Sequence, residues 1–259
     1  MSDIVKYKQQ DAVAVITLYR PDAMNSFNTE LRAELAAVLD KACEDDSVRV
    51  VVLTGEGRTF SAGADLKAGI DKDVSKMLQV EYRPLQEAIA AMPKPVIAAI
   101  PGSAAGIGLS IALQCDLLIM ADNAFMLSPF TTISLVPDGG MNWLLVRQLG
   151  YRRAFQLSIE SERIAADRCV ELGLANKAVP AEDLQVLRSN GRRRSRNVPR
   201  CRSRQRKRSC AMPPTTTGQV ATTWRLNYRG IYWAARTTAR VSRRFSKNAR
   251  PNSKVNNHG

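Results

Sequence analysis

"PVIAAIPGSAAGIGLSIALQCD", residues 95–116, decides the fold class, because a buried strand runs through a loop of small residues into a helix. Val96 to Ile100 is an apolar run of strand length, and Pro101 with Gly102 ends it. The small residues that follow let another chain or a ligand approach the backbone closely. A second strand reads in "DLLIMAD", 116–122, so strand, helix and strand follow in α/β order. The glycines Gly102, Gly106 and Gly108 spell G-x-x-x-G-x-G, which also admits a dinucleotide-binding loop. Its place mid-chain and the lack of a Tyr-x-x-x-Lys pair argue against that. The better reading is a backbone N–H donor near Ile107, with Gly106 and Gly108 permitting close approach.

Outward from this unit the same rhythm holds to about residue 185. Residues 4–20 read as two strands around a polar turn, 29–44 as an amphipathic helix, and "VRVVVLTGEG", 48–57, as a buried strand with a glycine exit. One helix is expected over 74–91, and three more over 140–148, 151–158 and 165–172, the last stopped by Gly173.

The chain of 259 residues is 45% hydrophobic, enough for a sizeable core. It has no apolar run long enough to span a bilayer and no signal-peptide pattern, so a cytoplasmic location without membrane attachment is expected. The five cysteines show neither zinc-site spacing nor a disulfide framework, and they read as reduced structural thiols. The single histidine, His258, is too close to the C-terminus to serve a Ser-His-Asp or Cys-His centre.

The formal charge of +14 is unevenly spread. All 24 acidic residues lie at or before Asp183, with 18 of the 38 Lys and Arg, a net of −6; the other 20 cations follow without an acid. We therefore divide the chain into residues 1–185, an α/β core, and 186–259, a basic C-terminal region. That region can be read as a nucleic-acid-binding arm. A shift of reading frame fits better. Codons allowed for residues 245–257, read one base earlier, give F-L-E-K-R-P-A-Q-F-Q-G-K and a stop, a string with helical character. Nucleic acid is accordingly not the expected partner.

Two further stretches carry chemistry. "GRTFSAGADLKAG", 57–69, reads as a turn opening into a helix, whose first N–H groups can hold a developing oxyanion near Ala64; the plain alternative is a helix start with Asp65 in its first turn. "FTTISLVPDGGMNWLL", 130–145, places Asp138 before two glycines and a helix. Alone, such an aspartate is an N-cap or turn residue as readily as a base. Trp143, Leu144 and Leu145 read as core of the following helix, with Trp143 also able to border an acyl pocket.

"RPDAMNSF" (20–27), "FSAGADL" (60–66), the Ala-Gly-Ile-Gly loop (105–108) and "LVPDGG" (135–140), in this order and spacing, resemble the enoyl-CoA hydratase/isomerase, or crotonase, family over about residues 3–184. The resemblance implies an α/β fold of repeated ββα units forming a spiral, with a C-terminal helical region that covers the coenzyme A site. It implies assembly as a homotrimer or dimer of trimers, and an acyl-CoA thioester whose carbonyl oxygen accepts from the N–H groups of Ala64 and Ile107. Asp22, Ala23 and Met24, with Ala62, Gly63, Asp65, Leu66 and Lys67, match the coenzyme A-binding surface, where Lys67 can approach a phosphate. Hydratases of the family place two glutamates around water; the matching positions here are Ser110 and Phe130. Asp138 matches the acid of a branch of enoyl-CoA isomerases that includes those resembling the phenylacetate-pathway enzyme. The expected activity is therefore double-bond isomerisation with Asp138 as base. The alternatives are hydration of a 2-enoyl-CoA, or an inactive member. No metal or redox cofactor is expected, coenzyme A being part of the substrate.

Overall fold

The computed structural model describes residues 4–68 and 74–190; for Ala68 and residues 186–190 the backbone alone is described. Strands β1 (Val5–Gln10) and β2 (Val13–Leu18) form an antiparallel hairpin, its turn made by Asp11 at φ 53°, a conformation Asp tolerates. Helix α1 (Thr29–Glu44) follows, with Asn28 as N-cap accepting from the Leu31 N–H at 2.9 Å. Its far end is closed by Lys94, whose ammonium donates to the carbonyls of Ala42, Cys43 and Asp45.

From there the chain repeats one operation. Strand β3 (Val50–Gly55) lies parallel to β2, and after a short corner β4 (Thr59–Ser61) begins a second sheet. The helical segment after it comprises α2 (Val74–Met77), a π turn (Leu78–Tyr82) and α3 (Arg83–Ala91). The single helix expected over 74–91 is thus interrupted. Pro84 has no N–H for the preceding turn and its ring crowds the carbonyl four residues back, which a wider π turn accommodates.

The next cycle is β5 (Val96–Ile100), β6 (Ser103–Ala105) and α4 (Gly106–Gln114). A Cβ on Gly102, at the corner between β5 and β6, would fall 1.7 Å from the Arg58 carbonyl oxygen, so successive corners stack backbone on backbone. Then come β7 (Leu117–Ala121), β8 (Phe125–Leu127), α5 (Met141–Leu149), α6 (Tyr151–Glu160), β9 (Arg163–Ala165), α7 (Ala166–Glu171), β10 (Lys177–Val179) and α8 (Ala181–Asn190). The six-stranded sheet runs β1-β2-β3-β5-β7-β10 and the four-stranded sheet β4-β6-β8-β9. Each cycle adds a strand to both sheets, which is the expected spiral of ββα units. Strands β2, β3 and β5 are almost wholly buried, as their unbroken Val, Ile, Leu and Ala runs require of strands covered on both faces.

The boundary expected at 185/186 falls inside α8, whose first turn carries Glu182 and Asp183, favourable at a helix N-terminus. Residues 191–259, with the reading-frame expectation, Cys201 and Cys210, lie outside the described residues. Cys43, Cys115 and Cys169 are free thiols, and burial pushes that of Cys169 up to about 12.

Candidate active site

The site is built where three cycles of the spiral meet. After β4, Phe27 donates to the Gly63 carbonyl at 2.8 Å and accepts from the Asp65 N–H at 3.1 Å. This parallel bridge of Phe27 with Ala64 uses the groups on either side of Ala64 and turns the Ala64 N–H away from it. The expected helix start is corrected here: among the described residues Ala64 lies in an isolated β-bridge and a 3-10 turn, Leu66–Ala68, follows it, so its N–H is a bridge-residue donor rather than one of an α-helix terminus.

The other donor is helical as expected. Ala105 is the N-cap residue of α4 and offers no side-chain acceptor, which leaves the first-turn N–H groups, Ile107 among them, without intrahelical partners. A Cβ on Gly63 would lie 3.1 Å from the Ala105 oxygen and 3.5 Å from the Ile107 nitrogen. The two donor loops therefore touch. Gly108 has a different role from the one expected: a Cβ there would meet Ser61 Cβ at 2.6 Å, so it lets α4 pack on β4 rather than admitting a ligand.

Asp138 is brought to the same place by α4. Ser110, fully buried, donates to the Asp138 carbonyl at 3.2 Å, and a Cβ on Gly139 would lie 2.0 Å from Ile107 Cδ1. The turn bearing Asp138 thus rests on the first turns of α4, and Gln86 of α3 donates from Nε2 to the Gly139 carbonyl. The N-cap reading fails: Gly140 is the N-cap residue of α5, and no side chain caps it. Instead Asp138 Oδ1 is buried without a hydrogen-bond partner. Burial pushes its carboxyl up to about 7, its own backbone N–H pulling the other way.

Phe130 is buried, with its Cζ 3.9 Å from the place a Cβ on Gly106 would take. Sequence reasoning missed Tyr82, which is 1% exposed and pushed up to about 12, by burial first, with Asp138 among the charges that raise it. It missed Arg32 too, whose Nη1 donates to the Tyr82 hydroxyl at 3.1 Å and whose Nε donates to Glu81 at 2.6 Å. An arginine beside the apolar stripe Leu31, Leu35 and Leu39 was the available signal.

The two stretches expected to form a coenzyme A surface lie side by side. The Ala62 N–H donates to the Met24 carbonyl at 3.0 Å, which sets residues 22–24 beside 62–67. Asp22, Met24, Leu66 and Lys67 are exposed there, with Ala23 partly so. Asp65 is committed elsewhere: it pairs with Arg20 at 2.9 Å and accepts from the Lys67 N–H, so it shapes the loop. Buried Asn25 supports the same loop, donating to the carbonyls of Glu56 and Thr59 and accepting from the Arg20 N–H. Trp143 departs from the core expectation; it is 53% exposed with the Arg147 guanidinium over its ring, whereas Leu144 and Leu145 are buried. Among the described residues no group of three or more His, Cys, Asp or Glu could hold a metal ion, and no helix is long and apolar enough to cross a membrane.

Known proteins resemble this chain in sequence and fold. The family profile described as enoyl-CoA hydratase/isomerase matches residues 8–219. A probable enoyl-CoA hydratase of Rhodobacter capsulatus is 41% identical over 183 residues, 70% of each chain. The 1,2-epoxyphenylacetyl-CoA isomerase of Escherichia coli is 37% identical over 190 residues, 71% of this chain and 72% of that one. The crystal structure of an enoyl-CoA hydratase from Mycobacterium avium subsp. paratuberculosis superposes with a TM-score of 0.77 at 30% identity, covering 90% of this chain and 95% of the other. Its spiral of ββα cycles and these matches show that the chain belongs to the enoyl-CoA hydratase/isomerase family of enzymes acting on coenzyme A thioesters.

Proposed function

We propose that the protein is an enoyl-CoA isomerase, moving a double bond between the 3,4 and 2,3 positions of an acyl-CoA thioester. The observation that carries the reading is Asp138: a buried carboxylate with an unpartnered oxygen, titrating near neutrality, beside the loops of Ala64 and Ile107. A base of that affinity removes a carbon-bound proton better than an ordinary carboxylate and is still partly ionised at pH 7.

In this reading the thioester oxygen lies between the Ala64 and Ile107 N–H groups. Asp138 takes the proton from C2 of a 3-enoyl-CoA, and the electron pair passes into the thioester to form a dienolate. The two N–H donors stabilise the negative oxygen. The protonated Asp138 then returns the proton at C4 as the C2–C3 double bond forms, so the base is regenerated and no proton is gained or lost. Asp22 to Met24 and Ala62 to Lys67 would carry the coenzyme A moiety.

The second reading is hydration of a 2-enoyl-CoA, the activity in the name of the Rhodobacter relative. It requires a further group to orient water. Ser110 is occupied with the Asp138 carbonyl and Phe130 has no polar atom. The test is a direct comparison on matched acyl chains: isomerisation of the 3-enoyl-CoA is expected to be much faster than hydration of the 2-enoyl-CoA, and the reverse order would overturn the proposal.

A further inference from the structure

The base of the proposed reaction stands next to backbone with little steric restraint of its own. Gly139 and Gly140 follow Asp138 with φ of 55° and 75°, in the left-handed region that glycine enters without strain. A Gly-Gly peptide group can turn over at little steric cost, and each such turn would swing the carboxylate beside it. Contacts from elsewhere must hold these peptide groups.

Side chains from two helices do so. Ser110 of α4 donates to the Asp138 carbonyl at 3.2 Å, and that carbonyl also accepts from the Met141 N–H at 3.0 Å. Gln86 of α3 donates from Nε2 to the Gly139 carbonyl. Gly139 is buried, and among the described residues its carbonyl has no backbone donor. The place of Gln86 in the sequence is informative. Leu85 and Ile89 of α3, with Tyr82 just before it, are buried, and a residue at 86 falls on the same stripe, yet it is a half-buried amide. A polar group there requires a partner, which the Gly139 carbonyl supplies. A third contact, Asn142 Nδ2 to the Pro137 carbonyl at 3.5 Å, is too long to carry weight.

Both donors grip backbone carbonyls and leave Asp138 Oδ1 without a partner. Neither therefore favours the charged carboxylate through a hydrogen bond. The turn is held while the basicity that burial confers is kept.

We propose that Gln86, with Ser110, is a positioning residue for Asp138: its amide fixes the Gly139 peptide group and so aims the carboxylate at C2 of the substrate. The catalytic consequence rests on the isomerase reading.

The experiment uses the full chain and Gln86→Met, which keeps the length of the side chain and removes the donor. Residues 139–140 are the only Gly-Gly pair in the sequence. Cell-free labelling with glycine carrying carbon-13 at the carbonyl and nitrogen-15 therefore gives one coupled carbonyl–amide NMR signal, that of the Gly139–Gly140 peptide. In Gln86→Met the Gly139 carbonyl resonance is expected to move upfield. Turnover of a 3-enoyl-CoA is then measured with and without Gln86→Met in wild-type and Asp138→Asn backgrounds. The substitution is expected to lower kcat by about 10–100-fold in the first, with KM held within about twofold, and to change little in the second, where no base is left to aim. An unmoved resonance, an unchanged kcat, or the same fold-loss in both backgrounds would overturn the proposal, the last because a purely structural role weakens both alike. The isomerase reading fails separately, on Asp138→Asn keeping wild-type turnover. Should Gln86→Met not fold, Ser110→Ala, which removes one oxygen, is measured in the same two backgrounds and decides by the same pattern.

Discussion

Replacing Asp138 by Asn should stabilise the protein at alkaline pH and abolish its activity. The carboxyl titrates near 7 in the fold against about 3.9 in an unfolded chain. Its folded affinity for a proton is raised, so the folded state binds more protons between those values and loses stability as pH rises through them. Taking the two affinities as about 3.9 and about 7, the loss between pH 5 and pH 8 is about 2.5 kcal/mol. Asn cannot ionise and escapes this loss. Any cost of its amide lacking partners is the same at both pH values and cancels in the comparison. Urea unfolding of wild type and Asp138→Asn at pH 5 and pH 8 gives four stabilities. The variant's advantage at pH 8 should exceed that at pH 5 by about 2–3 kcal/mol. An equal difference at both values would show that Asp138 is not a buried carboxyl of raised affinity, and the proposed base would lose its physical footing.

Other outcomes follow from the same geometry. Gly139→Ala combines a positive φ with a Cβ that strikes Ile107 Cδ1, and should cost about 1–3 kcal/mol in thermal or urea unfolding, with loss of turnover. Adding Ile107→Val removes that methyl and should recover the steric part while the φ cost remains. Arg32→Ala should destabilise by about 3 kcal/mol in the same assays, because Glu81 and the buried Tyr82 hydroxyl lose their partner. For the basic segment, sequencing of the gene across codons 180–259 is expected to find an overlapping frame encoding acidic, helix-forming residues; no such frame would remove that reading.

What was legible in the sequence was what side chains announce locally. Strands β2, β3, β5 and β7 carry unbroken apolar runs, and α1 shows its cap and stripe, so their positions could be read directly. The second sheet could not be read. "TFS" and "SAA" become β4 and β6 because the cycles of the spiral stack them, and three residues carry no periodicity of their own. The same limit applies to the site. Asp138 stood out as a lone acid in an apolar setting, but whether it capped a helix depended on Gly140 taking the N-cap position. Asp65 looked available until Arg20 folded onto it, and Tyr82 was invisible because a π turn, not helix periodicity, turns it inward.

The central claim is that one carboxylate moves a proton from C2 to C4, and the most direct measurement is conversion of a 3-enoyl-CoA carrying deuterium at C2. Wild type is predicted to give 2-enoyl-CoA with deuterium at C4, and Asp138→Asn to slow the conversion by about 10²–10⁴-fold while still binding the thioester. Conversion by the Asn variant at a rate near that of wild type would contradict the account.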